Sequence, residues 1–67
     1  MSVAKIMELS ARSPKSFEDA IKHGLERASS TVEQIKGAWI KEQKVEFDGK
    51  KVTNYVVHMQ VTFVLKD

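Results

Sequence analysis

The chain has 67 residues, no cysteine, two histidines and a net charge of +2, which makes one small domain over 1–67 with little room for a core. A domain of this size buries only about 60% of the surface its unfolded chain exposes, and the usual remedies are disulfides, a structural metal or association with further copies. With no cysteine, and with His23 and His58 unable to complete a metal site alone, self-association is the remedy that remains.

The N-terminus, Met1-Ser2-Val3-Ala4-Lys5-Ile6, lacks the apolar core of a signal peptide, and no stretch approaches the roughly 20 apolar residues of a membrane span, so a soluble, cytoplasmic protein is expected. Val3–Leu9 reads as a first strand of imperfect alternation. Ser10–Lys15 reads as a loop, because Pro14 removes a ladder donor and biases Ser13 away from helix.

Ser16-Phe17-Glu18-Asp19 resembles a capping box, with Ser16 as N-cap and two acids suited to a helix N-terminus. Phe17, Ala20, Ile21, Gly24, Leu25, Ala28 and Val32 then follow one face of a helix. Gly24 and Ala28 on that stripe would allow close approach to a sheet, offsetting glycine's penalty of about 1 kcal/mol. Ser29-Ser30-Thr31 lowers helix propensity, placing the stop between Ser30 and Gln34.

Gly37–Glu46 reads as a second strand, and Phe47-Asp48-Gly49-Lys50 as the turn to a third. The Asp-Gly pair suggests a type I′ hairpin, whose two central residues both need positive φ. In the third strand Tyr55, Val57, Met59, Val61, Phe63 and Leu65 share one face by period-two alternation. That face is the natural partner for the helix stripe. The other face carries Asn54, Val56, His58, Gln60, Thr62 and Val64 and is where function is expected. Alternation in the second strand gives two sets, Trp39, Lys41, Gln43 and Val45, or Ala38, Ile40, Glu42 and Lys44. Ala38 and Ile40 suit a helix-covered site better, so Trp39 belongs on the uncovered face.

Trp39 reads either as a core or interface residue or as a stacking platform for a planar ligand, with His58, Gln60 and Gln43 as hydrogen-bond partners. His58 has no nucleophile beside it, no Gly-x-Ser-x-Gly or phosphate-cradling loop is present, and helix electrostatics accounts for Glu18-Asp19. An enzyme is not expected. Nor is nucleic-acid binding, because the basic residues form no run beyond Lys50-Lys51 and only Trp39 offers an exposed aromatic on the sheet.

Ser13-Pro14-Lys15-Ser16-Phe17-Glu18-Asp19-Ala20, then Ala38-Trp39-Ile40, Asp48-Gly49-Lys50, and Tyr55 through Val61-Thr62-Phe63-Val64-Leu65 together resemble the dodecin family over nearly the whole chain. The resemblance implies an α+β, β-α-β-β subunit whose three-stranded antiparallel sheet partly wraps one helix. It further implies a hollow homododecamer that binds and stores flavin (riboflavin, FMN or FAD), with the ring stacked on Trp39 from symmetry-related subunits. The residues it places at the ligand are Trp39 and Val56, and His58, Gln60, Lys41 and Gln43 complete the candidate binding residues. Val56 stands where the family carries a glutamine that hydrogen-bonds the ring edge. A ring edge left without that partner would lose roughly 1–3 kcal/mol, or about one to two orders of magnitude in affinity. The alternative is a dodecin-like shell that has lost flavin and is structural or binds another small ligand or ion.

Overall fold

The computed structural model describes residues 3–65. Its elements are β1 (Ala4–Ser13), α1 (Phe17–Ser29), β2 (Ile35–Asp48) and β3 (Lys51–Val64). The strands form one antiparallel sheet in the order β1-β3-β2, so the strand richest in apolar residues is central.

Ser16 caps α1 from an extended backbone (φ −172°), its hydroxyl accepting a hydrogen bond from the Asp19 N–H at 2.9 Å. Ala20, Gly24 and Ala28 are buried along the helix. They meet the face of β3 that carries Val57, Met59 and Val61, which with Ala20 are wholly inaccessible to solvent. Phe17, Ile21 and Leu25 close the sides, and the Phe17 ring meets Tyr55 edge-on at 5.1 Å. Gly24 is required by proximity, since a Cβ there would lie 2.6 Å from Met59 Cε and 3.0 Å from Ala11 Cβ.

Four expectations need correction. β1 does not stop at Leu9. Ser10–Ser13 continues the ladder opposite His58–Tyr55, so the loop expected at Ser10–Lys15 contracts to the residues around Pro14. Ala11 and Ser13 are simply the small inward members of the Met7, Leu9, Ala11, Ser13 series, placed where the helix is closest. The helix ends at Ser29 with Ser30 as its cap, just ahead of the expected stop. The hydroxyls of Ser29, Ser30 and Thr31 donate to the carbonyls of Glu26, Arg27 and Ala28, competing with continuation of the helix.

β2 also extends past both expected ends, and the hairpin turns on Gly49-Lys50 between the paired Asp48 and Lys51. Gly49 has φ +63°, and Lys50 is not left-handed. The turn therefore has positive φ only at its first central position, as in a type II′ hairpin.

The fourth correction concerns register. Trp39 opposes Gln60 on the helix-free face and Ile40 opposes Met59 on the core face, as expected, but the next pair is Glu42 with His58. Lys41 is the extra residue of a β-bulge. Beyond it the alternation inverts: Glu42 and Lys44 lie on Trp39's face, while Gln43 opposes Val57 and Val45 opposes Tyr55 on the other.

Candidate functional site

Only one face of the sheet is covered by α1. On the other, side chains from β1, β3 and β2 line up in rows set by the ladder. Glu8, Gln60 and Trp39 form one row, Ser10, His58 and Glu42 the next, and Arg12, Val56 and Lys44 the third. Side chains directly opposite each other have Cβ atoms about 4.5–5.5 Å apart, and diagonal neighbours are still within reach of long or aromatic groups.

Trp39 is 47% exposed, much for an indole in the middle of a sheet. Beside it the Gln60 carboxamide is half-buried and makes no hydrogen bond to another described residue. A planar apolar surface next to a free amide, which can donate and accept at once, suits a flat heteroaromatic ligand.

The charged groups on this face are mostly paired across strands. Lys41 Nζ, lifted by the bulge, reaches over β3 to both carboxylate oxygens of Glu8 at 3.2 and 3.3 Å. Arg12 reaches Glu46 at 3.3 Å, and His58 Nδ1 lies 3.7 Å from Glu42 Oε1. These pairs are exposed, so each contributes little to stability, about 0–1 kcal/mol. Their value is in fixing direction, and Lys44 on this face is left without an ion-pair partner among the described residues.

The structure thus gathers Trp39, Gln60, His58 and Lys41 on one patch. It does not bring Gln43 there, because the bulge carries that residue to the other face. Val56 shares the face, but it is only 2% exposed and sits two rows from Trp39, about 13 Å along the strand. Sequence alternation missed Glu42 and Glu8. A bulge leaves no mark in a run such as Lys41-Glu42-Gln43-Lys44, where every residue tolerates solvent.

A second polar cluster joins β1 to α1. The buried Ser13 hydroxyl donates to Asp19 Oδ2 at 2.6 Å and accepts from the Lys15 N–H at 3.0 Å, while His23 Nε2 approaches Asp19 at 3.5 Å. The Ser13 bond, aided by His23, holds the Asp19 carboxyl below the usual aspartate range against the opposing effect of burial. The carboxylate lies between serine and histidine, so the imidazole does not meet the serine hydroxyl as in a catalytic triad, and the group acts as a joint between strand and helix. Among the described residues, no group of three or more His, Cys, Asp or Glu side chains is arranged to hold a metal ion. No helix among them is long and apolar enough to cross a membrane.

The family profile described as Dodecin matches residues 3–66. This chain belongs to the dodecin family. The calcium dodecin of Mycobacterium tuberculosis is 30% identical over 66 residues, covering 98% of this chain and 93% of that protein. Its crystal structure, described as having a novel calcium-binding site, superposes with a TM-score of 0.84 over 97% of this chain and 93% of its own. A mutant of Thermus thermophilus dodecin, also 30% identical, superposes with a TM-score of 0.95 over the full length of both chains. The dodecin of Streptomyces davaonensis shares the fold at a TM-score of 0.94 and 23% identity, over 98% of this chain and 97% of its own. The β-α-β-β subunit with its antiparallel sheet around one helix is thus the dodecin fold.

Proposed function

We propose that copies of this dodecin assemble into a homododecamer that binds and stores flavin (riboflavin, FMN or FAD), stacking the isoalloxazine ring on Trp39. The observation that carries this reading is the half-exposed indole on the helix-free face, directly opposite the unengaged amide of Gln60. Assembly is supported by how little the subunit buries. Besides Trp39, it leaves Ile6 (49% exposed), Phe47 (62%) and Val45 (45%) open to solvent, an apolar excess that further copies would cover. The function is binding rather than turnover, and Gln60 and His58 serve as polar partners in place of a glutamine at position 56.

A titration of riboflavin and FMN with purified protein, run beside a mass measurement of the particle, tests the proposal. An indole in contact with flavin quenches its emission by electron donation, so saturable quenching by a particle of about twelve subunits is expected, and it should disappear in Trp39→Ala. Colourless protein that leaves flavin emission unchanged over a wide concentration range would favour a shell with another ligand or none. A parallel calcium titration addresses the ion for which the Mycobacterium relative is named.

A further inference from the structure

The bulge in β2 has a chemical consequence. Without the extra residue, unbroken alternation would set Lys41 opposite His58, a cation facing an imidazole. With it, Lys41 swings to Glu8 and Glu42 takes the place opposite His58, its Oε1 3.7 Å from Nδ1. Bulges next to binding sites commonly re-aim side chains in this way. His58 lies in the row adjoining Trp39 and Gln60, so a ring stacked on the indole and lying across β3 reaches it.

Building on the flavin reading, we infer that Glu42 and His58 form a proton-dependent contact for the carbonyl edge of the stacked ring, so that binding of flavin takes up a proton. Nδ1 faces a carboxylate, which favours a hydrogen on that nitrogen in either charge state of the ring. The atom that changes is Nε2, an acceptor in neutral imidazole and a donor in imidazolium. The pyrimidine-like edge of isoalloxazine presents two carbonyl oxygens flanking one N–H. A charged donor to a carbonyl makes the stronger bond of the two available, so the protonated form binds more tightly.

The groups that face His58 fix the setting. From β2 these are Glu42, Lys41 and Lys44, and from β1 Glu8 and Arg12. Lys41 is engaged with Glu8 and Arg12 with Glu46, so the charges left beside the imidazole are Glu42, directly opposite, and Lys44, one row along. Glu42 is therefore a positioning residue that acts through His58.

The test is riboflavin quenching by the assembled protein between pH 5.5 and 8.5, an interval in which the flavin itself is not ionised, with His58→Gln and Glu42→Gln alongside. Affinity should fall roughly tenfold from the acid to the alkaline end in the wild type. It should be flat in His58→Gln, and in Glu42→Gln the fall should shrink because the imidazole is no longer held toward the ring edge. The wild-type ring should also show Nδ1–H as its neutral tautomer by nitrogen NMR, a readout that needs no flavin. Tight binding with no pH dependence, or the same dependence in His58→Gln, overturns the inference and leaves flavin storage standing. Absence of quenching at every pH overturns both.

Discussion

Trp39 and Gln60 face each other across β2 and β3 on the side of the sheet that α1 leaves bare. The pairing puts a wide apolar plane beside a free amide in a subunit whose wholly inaccessible apolar cluster, among the described residues, is Ala20, Val57, Met59 and Val61. The exposed aromatic surface is open to a ligand or to another copy of the chain.

Removing the indole should therefore separate binding from folding. Trp39→Ala is expected to weaken riboflavin binding by about 5- to 150-fold, since stacking on an aromatic side chain contributes about 1–3 kcal/mol. Far-ultraviolet circular dichroism should be unchanged, because the core lies on the opposite face. Loss of helix signal together with binding would show that Trp39 holds the fold or the assembly.

The sequence makes these two residues legible because β3 alternates cleanly. Six apolar positions at period two set its core face, and Ala38 and Ile40 set the side of Trp39. Legibility fails where side chains carry no preference between faces. Lys41 to Lys44 are polar throughout, so nothing in their order signals the extra residue that sends Gln43 away and brings Glu42 in. It fails again where packing selects for smallness. Ala11 and Ser13 look like loop residues, yet they are the inward positions of β1 beneath the helix. Val56 lies on the mixed face, and its burial follows from the surrounding register, which local sequence does not contain.

The close approach of α1 to the sheet is concentrated at Gly24. Alanine there gains up to about 1 kcal/mol of helix propensity. It also places a methyl 2.6 Å from Met59 Cε, which can swing away, and 3.0 Å from Ala11 Cβ, which cannot. Overpacking typically costs about 1–3 kcal/mol, so Gly24→Ala should be destabilising by about 1 kcal/mol in denaturant unfolding. A higher unfolding midpoint would mean that the helix has room to withdraw.

The joint at Ser13 and Asp19 makes stability depend on acid. The Asp19 carboxyl is held below its ordinary range chiefly by the Ser13 hydroxyl, so it is depressed in the folded state relative to the unfolded one. Its contribution is thus present above the unfolded aspartate pKa of about 3.9 and is lost as pH falls through the lower folded value. Ser13→Ala removes the bond. The melting-temperature gap between wild type and Ser13→Ala should be widest near neutrality and narrow below roughly pH 4; a gap of constant width would assign the loss to the Lys15 contact instead.

The helix cap can be tested apart from that joint. Ser16 Oγ accepts the Asp19 N–H at 2.9 Å from a backbone already in the cap conformation. Ser16→Ala should be less stable by about 1 kcal/mol, and Ser16→Asp should restore most of the loss through the same bond and the helix dipole. Equal stability of all three proteins would show that water satisfies this helix end.

Val56 offers a direct test of where the polar contacts of the proposed site lie. It lies between Arg12 and Lys44 in the ladder and is 2% exposed, so a glutamine there places an amide where solvent does not reach. Unless Arg12 or Lys44 turns to meet it, the unsatisfied amide should cost about 1–3 kcal/mol, visible as a lower unfolding midpoint. In return, Val56→Gln supplies a donor and an acceptor of the kind that reads a flavin edge, in competition with the imidazole of His58. Riboflavin should then bind more tightly, and its pH dependence should flatten because an amide does not titrate. Unchanged affinity with the pH profile intact would mean that a ligand on Trp39 never extends to position 56, and that the polar contacts of this dodecin are confined to the rows of Gln60 and His58.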